Sequence, residues 1–373
     1  METSTTVQTI EDERRNQPTP RRGASLLTRF VSATGPVTGA LIGTIVIAVL
    51  LSITQPVFTT WNNITNLIGA NSVVLVLAIG LTFVLLLGDL DLSIVAASAA
   101  SGVALGLMLE AGFSAWPAIL LTLAVGLAFG AFNGSLISYA RIPFLVTTLR
   151  TASLFASIAL VLNDGQTINT FGFTGFQAIN VFVSGQLFGV PVLLVFDALL
   201  IIAAAIVLRF TKFGRAIYAI GSNTEAARLN GINVRWTRFL VYVLVGLLAA
   251  VGAILQVGRL SGASPTFDDT LLLTVIAAVL IGGTSYSGGT GGVGGTVLGV
   301  LFLGVIENGL TLTEVSSFWR GTVNGLVLIA AVALGVARSH GWLRIPQTRR
   351  RTPKRSDPSK EQTPLRQSAS ENL

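Results

Sequence analysis

Charged side chains are rare in this sequence, and five of them stand within or beside long apolar runs. Only 11% of the residues are charged, against 51% that are hydrophobic. A charge at the middle of a bilayer costs about 2.5–3.5 kcal/mol, so such residues usually face a cavity or a partner. The five are Asp89, Asp91, Arg150, Asp197 and Glu307. Their chemistry is hydrogen bonding, ion pairing or proton exchange inside an apolar surrounding.

Thiol, metal and nucleotide chemistry find little support in the composition. The sequence has no cysteine and one histidine, His340, which has no second imidazole with which to complete a zinc site. Residues 289–294 formally fit G-x-G-x-x-G, but no strand precedes them and no acidic residue follows in a βαβ context. No G-x-x-x-x-G-K-[ST] segment occurs. We therefore expect no metal and no cofactor on this chain, and interpret the glycines as close helix packing and a flexible turn.

The apolar runs predict an all-α integral membrane protein of about ten transmembrane helices. A helix needs about 20 apolar residues to cross about 30 Å of hydrocarbon. The eighth run is short and is separated from the ninth by a glycine-rich stretch, so it could be re-entrant. The predicted spans are 37–57, 67–88, 92–109, 115–140, 142–162, 187–208, 239–258, 268–283, 291–312 and 321–337.

Basic residues predict the orientation of these spans. With both termini in the cytoplasm, 21 of the 24 Lys and Arg residues fall on the cytoplasmic side of the cell membrane. The same distribution argues against a nucleic-acid partner, because the basic residues gather at the ends and in one loop without interleaved aromatics. Residues 1–35 and 338–373 are predicted to be disordered cytoplasmic tails around a transmembrane domain at 36–337. The basic C-terminal tail is placed to contact anionic lipid.

One predicted cytoplasmic loop, 209–238, carries a short helix signal. Ser222 to Glu225 fits a capping box, with the Ser222 hydroxyl accepting an amide and Glu225 reaching back to the cap. Gly231 supplies a stop. The resulting two-turn helix is too short to stand alone in water. Its apolar side, Ala226, Ala227 and Leu229, needs a groove on its own membrane domain or on a separate protein.

The residue pattern of this loop resembles that of a known family. Glu225-Ala226-Ala227 followed by Gly231 resembles the EAA-x-x-x-G motif of ABC importer permeases, and the flanking residues 214–223 are similar to the ribose/xylose-type sugar permeases. The resemblance implies a type II-like permease bundle whose short helix couples to a separate ATPase subunit carrying ATP–Mg. The coupling residues it implies are Gly221, Ser222, Asn223, Glu225, Ala226, Ala227, Arg228 and Gly231.

The resemblance covers roughly residues 60–336. It includes 88–93, 132–134, 142–149, 281–285 and 308–310, whereas Asp89, Val95 and Glu307 depart from the family pattern. A sugar has many hydroxyls and no net charge, so its path should offer exchangeable hydrogen bonds. The residues expected to line it are Asp89, Asp91, Ser93, Asn133, Thr147, Thr148, Glu307 and Asn308.

Other roles for these polar residues remain open. Asp89 and Asp91 could instead cap the third span at Ser93, where the helix dipole favours negative charge. For Arg150 and Asp197 an interhelical ion pair is favoured over substrate contact.

The resemblance further implies a homodimer that receives a monosaccharide from an extracytoplasmic sugar-binding protein at the outer loops 163–186, 258–267 and 313–320. One alternative is an ion-coupled secondary transporter in which Asp89, Asp91 or Glu307 titrates. Another is a branched-chain amino-acid permease of the same superfamily. An enzyme is disfavoured, since no nucleophile–base pair or histidine cluster is present.

Overall fold

The computed structural model describes residues 36–267 and 270–316, together with Trp319, residues 321–323, residues 325 and 326, and Ile329. The predicted tails at 1–35 and 338–373, and most of the predicted tenth span, lie outside these described residues.

Helices supply nearly all of the regular structure in the described part of the chain. Twelve α-helices follow one another, and a 3₁₀ helix at Pro56–Thr59 joins the first two. The α-helices are α1 (Pro36–Thr54), α2 (Trp61–Leu86), α3 (Ile94–Glu110), α4 (Ala115–Ser138), α5 (Phe144–Leu162), α6 (Thr174–Ser184), α7 (Val192–Phe210), α8 (Lys212–Ser222), α9 (Thr224–Leu229), α10 (Val234–Leu260), α11 (Leu271–Ile281) and α12 (Val293–Leu312).

Nine of the predicted spans are apolar helices within the described residues. Seven of them, α1, α2, α4, α5, α7, α10 and α12, are long and apolar enough to cross a membrane. The other two, α3 and α11, are shorter, with 17 and 11 residues. At a rise of 1.5 Å per residue α11 is about 16 Å long, half the hydrocarbon thickness. The chain is therefore a multi-pass membrane protein, and the predicted shortness of the eighth span is confirmed.

Two small antiparallel ladders are the exceptions to the all-α prediction. Strand β1 (Ile168–Asn169) pairs with β4 (Gly262–Ala263), and β2 (Gln186–Leu187) pairs with β3 (Val190–Pro191). The first ladder joins two segments that the sequence placed in separate outer loops, with Ile168 opposite Ala263. The amphipathic helix α6 also lies in this region, where the sequence predicted only a loop.

The centre of the bundle is formed by α2 and α10. In their most apolar windows 72% of the α2 residues and 67% of the α10 residues are buried, against 11% for α1. Helix α10 packs on α4, α2 and α3. Its contact with α4 is close because glycines at four-residue intervals (Gly126, Gly130 and Gly134) lie on one face of α4 and leave no side chains between the two backbones. A Cβ on Gly130 would overlap the Tyr242 carbonyl oxygen of α10.

The two ends of α2 define the two ends of the bundle. Its 26 residues span about 39 Å. The C-terminal residue, Leu86, lies against α8, and we call this the inner end after the predicted orientation. The N-terminus of α2 lies at the opposite, outer end.

Candidate functional site

Helix α8 lies on the inner end of the bundle as an amphipathic helix. The Thr211 hydroxyl caps it by accepting from the Gly214 amide at 3.0 Å. Its buried face consists of Gly214, Ile217 and Ile220. The Tyr218 hydroxyl donates to the Gly291 carbonyl at 2.9 Å, which attaches the helix to the glycine-rich stretch before α12. The helix is therefore held by the membrane domain of its own chain.

Helix α9 follows at once, and its cap differs from the predicted one. Asn223 is the capping residue, and its Oδ1 accepts from the Ala226 amide at 2.9 Å. Ser222 remains in α8, where its hydroxyl donates to the Tyr218 carbonyl. Glu225 pairs with Arg228 instead of reaching back to the cap, and this hydrogen bond lowers the Glu225 pKa. The predicted capping box at Ser222 is wrong because Ser222 is the last residue of α8, a helix that was not predicted from the sequence, and Asn223 takes the cap position.

The end of α9 matches the prediction. Gly231 has a φ of +80°, a left-handed conformation that suits glycine. The Gly231 amide donates to the Arg228 carbonyl, and the Ile232 amide donates to the Ala227 carbonyl. This pattern is the Schellman motif, so the predicted glycine stop is confirmed.

Most of the surface of α9 faces away from the chain. Ala227 is buried against the bundle, while Ala226 is exposed and Leu229 is 77% exposed. The Glu225–Arg228 ion pair is exposed as well. The helix therefore presents an apolar side chain and an ion pair on the surface of the inner end.

Three backbone segments meet where α8 ends, at a contact that we call the glycine junction (Gly88, Gly221, Gly288 and Gly289). The Gly289 amide donates to the Leu86 carbonyl at 2.9 Å. A Cβ on Gly221 would overlap that same carbonyl oxygen and lie 2.5 Å from the Gly289 nitrogen. The junction thus brings α8, the end of α2 and the glycine-rich stretch into backbone contact, which only glycine at position 221 permits.

Beside the junction, the loop between α2 and α3 carries a buried ion pair. The Asp89 Oδ2 lies 2.9 Å from the Arg238 Nε of α10, without the alignment of a hydrogen bond. Asp89 is 4% exposed, and the Tyr242 hydroxyl lies next to its carboxylate. Burial raises the pKa of Asp89 to about 6, although Arg238 acts in the opposite direction. The Asp89 carboxyl is therefore a weaker acid than that of a solvent-exposed aspartate.

A second carboxylate in the same loop begins a hydrogen-bond chain. The Asp91 Oδ1 accepts from the Ser93 amide at 2.7 Å and from the Ser93 hydroxyl at 2.6 Å. The Asn133 side-chain amide of α4 donates to the Ser93 hydroxyl oxygen at 2.7 Å. The alternative in which a carboxylate caps α3 at Ser93 is thus confirmed for Asp91, whereas it is wrong for Asp89, which pairs with Arg238.

Helix α5 contributes the last members of the buried polar group at the inner end. We call this group the inner polar cluster (Asp89, Asp91, Ser93, Asn133, Thr147, Thr148, Arg238 and Tyr242). The Thr148 hydroxyl donates to the Leu90 carbonyl at 3.3 Å, and Thr147 is buried at the neighbouring position. Six of the eight residues predicted for the substrate path are therefore buried at the inner end. They are Asp89, Asp91, Ser93, Asn133, Thr147 and Thr148.

The other two predicted path residues lie at the outer end, on α12. Asn308 and Asn63 exchange two side-chain amide hydrogen bonds, at 3.0 and 2.9 Å. Glu307 precedes Asn308 and is half-buried. Asn63 and the inner cluster are separated by about 35 Å along α2. Within the described residues the eight side chains thus form two groups.

The predicted ion pairs of Arg150 and Asp197 are wrong. The Asp197 Oδ2 accepts from the Ser72 hydroxyl of α2 at 2.5 Å, and Arg150 is exposed on α5. Within the described ranges the only ion pairs join Arg228 to Glu225 and Arg238 to Asp89. A neutral hydroxyl, in place of the predicted cation, therefore binds one oxygen of this carboxylate, while the Asp197 Oδ1 has no hydrogen-bond partner among the described residues.

Two residues of the inner cluster, Arg238 and Tyr242, were not singled out from the sequence. Arg238 lies in the second turn of α10. A cation near a helix N-terminus opposes the helix dipole, and that unfavourable position is the signal that could have identified it.

Nine apolar helices, with buried polar residues and a short exposed helix at the inner end, define the class of multi-pass membrane proteins. The sequence model of the family described as "Branched-chain amino acid transport system / permease component" matches residues 63–332. The chain belongs to that family.

Curated relatives match most of the chain. It is 37% identical to the ribose import permease protein of Escherichia coli K12 over 79% of this chain and 91% of the relative. It is 37% identical to the ribose import permease protein of Bacillus subtilis 168, over 81% and 93%. It is 30% identical to the xylose transport system permease protein of Escherichia coli K12, over 72% and 84%. The predicted resemblance to ribose- and xylose-type permeases is confirmed.

A solved structure of a metal-chelate type ABC transporter in an inward-facing conformation covers 82% of this chain and 98% of its own, at 16% identity and a TM-score of 0.48.

Proposed function

We propose that the chain is the membrane-spanning subunit of an ATP-driven importer that admits a monosaccharide. An ATPase subunit carrying ATP–Mg would dock on α9, and an extracytoplasmic sugar-binding protein would deliver the cargo to the outer end. The names of the relatives support this assignment, because they are import or transport permeases for ribose and xylose. The confirmed family supports it as well.

The observation that carries the docking proposal is the exposure of α9. A leucine that is 77% exposed on a six-residue helix gains nothing from its own chain. Burial of a leucine side chain is worth about 1.5–3 kcal/mol, so Leu229 favours a partner with an apolar groove. Only Ala227 is used to seat α9 on the bundle. The sequence allowed either an internal or an external groove, and this geometry favours the external one.

The glycine junction gives the docked helix a mechanical connection to the bundle. Helix α8 is joined to α9 by Asn223 and is in backbone contact with the end of α2. A displacement of α9 and α8 would therefore reach α2 and the stretch before α12 directly. We propose that Gly221, Ser222, Asn223 and Gly231 maintain this geometry, while Glu225, Ala226, Arg228 and Leu229 face the ATPase.

The two polar groups would act at the two ends of the path. The inner polar cluster is buried in the described part of one chain, so cargo would reach it only after the helices around it separate. Sugar hydroxyls could then replace the hydrogen bonds among Asp91, Ser93 and Asn133. At the outer end, Glu307 and Asn308 would meet the cargo first. The path itself would run between two copies of the chain, with both termini of each copy in the cytoplasm.

The test of docking is Leu229→Asp. We expect the variant to fold normally, because Leu229 is exposed, and to lose at least tenfold in affinity for the cognate ATPase subunit, which corresponds to about 1.4 kcal/mol or more. Co-purification and ATP-dependent sugar uptake by proteoliposomes measure the effect. Phe210→Ser is the matched control, since Phe210 is an exposed apolar residue outside α9. Unchanged association of Leu229→Asp, or sugar uptake by the chain without an ATPase, would contradict the assignment.

A branched-chain amino acid is the second candidate cargo, and the description of the family favours it. Uptake assays with labelled ribose, xylose and leucine, using the same reconstituted transporter, separate the two. Uptake of leucine alone would replace the monosaccharide while leaving the docking of α9 intact.

A further inference from the structure

A cavity of about 550 Å³ lies at the inner end, beside α8 and α9. Its walls come from five parts of the chain: the α2–α3 loop, the end of α4 with the following linker, the junction of α8 with α9, the start of α10, and the glycine-rich stretch. This volume is within the usual range for a small-molecule site, about 300–1,000 Å³. The cavity is thus large enough for a ligand and is formed by the same segments that surround the glycine junction.

The cavity has an excess of positive charge. Arg141, Arg235 and Arg238 line it together with one carboxylate, Asp89. Asp89 faces Arg238, whereas Arg141 and Arg235 have no ion pair within the described ranges of the chain. Arginine remains protonated at any physiological pH. Two positive charges therefore stand uncompensated in one concave surface.

The position of the arginines on α10 adds to this field. Arg235 lies in the first turn of the helix and Arg238 one turn later, so the two share a face. The N-terminus of a helix already carries partial positive charge, and a cation there is unfavourable. An anion in the cavity would compensate both the helix terminus and the guanidinium groups.

An unpartnered hydroxyl completes the site. Ser138 lines the cavity, is 4% exposed, and its Oγ has no hydrogen-bond partner among the described residues. A buried hydroxyl without a partner is unfavourable, because it has lost its hydrogen bonds to water and gained none in the protein. A ligand oxygen in the cavity would accept from it, so the hydroxyl is a second, independent indication of an oxygen-rich ligand.

We propose that this cavity binds a phosphate-bearing ligand through Arg141, Arg235 and Ser138. A phosphate monoester carries about −1.5 to −2 charges at neutral pH, which matches the charge excess of the cavity. Guanidinium groups bind phosphate oxygens in pairs of parallel hydrogen bonds. Ile137, Ile142 and Phe144 also line the cavity and offer apolar contact to the organic part of the ligand. The phosphate belongs either to a free cytosolic ester or to an anionic lipid headgroup.

Occupancy would connect segments that the transport cycle moves. The ligand would touch the α4–α5 linker, the α8–α9 junction and α10 at once, and we expect it to slow their separation. This regulatory effect rests on the proposed function, whereas binding does not, and binding is measured on the full-length chain alone.

The experiment measures the binding of phosphate esters and of anionic lipids to the purified full-length chain in a neutral detergent. Ribose 5-phosphate and inorganic phosphate are titrated calorimetrically, and phosphatidylglycerol and cardiolipin are compared with phosphatidylcholine by native mass spectrometry. We expect one source to bind, and Arg141→Gln/Arg235→Gln to weaken that binding at least tenfold. Ser138→Ala should weaken it severalfold. Selective retention of the anionic lipids identifies a headgroup, and saturable heat with ribose 5-phosphate identifies a free ester.

Arg209→Gln is the matched control, because Arg209 is an exposed arginine at the end of α7 outside the cavity. It should bind like the wild type. Both arginines of the double variant are exposed, so its melting temperature should match that of the wild type. If neither source binds, or if the double variant and the control bind alike, the site is overturned. Loss of sugar uptake with phosphate binding intact would instead count against the proposed function.

Discussion

The two ends of α2 are each joined to another helix by a polar contact, and the two contacts differ in charge. At the inner end Asp89 faces Arg238 of α10 in a buried ion pair. At the outer end Asn63 and Asn308 of α12 exchange two neutral hydrogen bonds. The inner contact adjoins the glycine junction and α8, while the outer one adjoins the 3₁₀ helix, whose Phe58 carbonyl accepts from Asn63.

This difference indicates which end can be switched. A buried ion pair gains little net stability, because desolvation of its charges offsets their attraction, and it depends on the protonation of its acid. A reciprocal amide pair has no titrating group. We therefore expect the inner contact to respond to displacement of α8 and to pH, and the Asn63–Asn308 contact to hold α2 to α12 independently of pH.

The largest effect is expected at the glycine junction. In Gly221→Ala the added methyl group meets the Leu86 carbonyl oxygen and the Gly289 nitrogen, both backbone atoms that cannot rotate away. We expect a loss of about 3 kcal/mol or more in the free energy of unfolding, together with loss of coupled transport. Thermal unfolding in detergent and uptake by proteoliposomes measure the two.

Gly294→Ala is the control for this substitution. Gly294 is helical, and a Cβ there meets no atom within 4 Å. Alanine should stabilise that helix by about 0.5–1 kcal/mol. If Gly221→Ala melts like Gly294→Ala, the inner contact is looser than the glycine junction implies.

The next effect is the pH dependence of the inner ion pair. The pKa of Asp89 is about 6 in the folded chain, against 3.8 for a free side chain. The folded state then holds a proton that the unfolded state has lost, so stability falls as pH rises from about 4 to about 6 and is level above that. The Asp89 contribution to this fall is about 3 kcal/mol.

Asp89→Asn should remove that part of the pH dependence. Melting temperatures of the wild type and the variant should agree most closely at pH 4.5, where Asp89 is largely protonated and neutral like the amide. They should separate at pH 5.5, 6.5 and 7.5, with the wild type the less stable of the two. Asp164→Asn, which changes an exposed carboxylate, should keep the wild-type profile. Parallel profiles for the wild type and Asp89→Asn would show that the inner contact is no more switchable than the outer one.

Sequence reasoning located the spans because membrane insertion depends on local composition. It placed nine apolar helices, and the stop of α9 at Gly231, since each depends on a few neighbouring residues. It could not rank the helices by burial. Helices α1 and α2 are equally apolar, yet 11% of the residues are buried in the most apolar part of α1 and 72% in that of α2. Packing partners distant in sequence make that difference.

The candidate site shows the same division between local and distant information. Helix α9 was found from the residue pattern of the loop, but its cap was displaced by one residue. Ser222 and Asn223 are both good caps, and Ser222 belongs to α8, whose Gly221 packs on Leu86. The partner of Asp89 could not be found, since Arg238 lies on another helix and no short-range pattern joins the two. The separation of the eight predicted path residues into two groups could not be found either, because it too depends on packing between helices distant in sequence.

The smallest effect is expected at the outer end, and it tests whether that contact is only an attachment. Asn308→Leu leaves the Asn63 amide without its partner, so we expect a loss of about 1–3 kcal/mol in the free energy of unfolding. Asn63→Leu/Asn308→Leu removes both amides and should recover part of that loss, because only the Phe58 carbonyl then lacks the donor that Asn63 supplied. Melting temperatures of the single and double variants measure the coupling, and neither variant should change the pH profile. A double variant less stable than the sum of its singles, or one with altered pH dependence, would mean that the outer contact is connected to the inner cluster through α2.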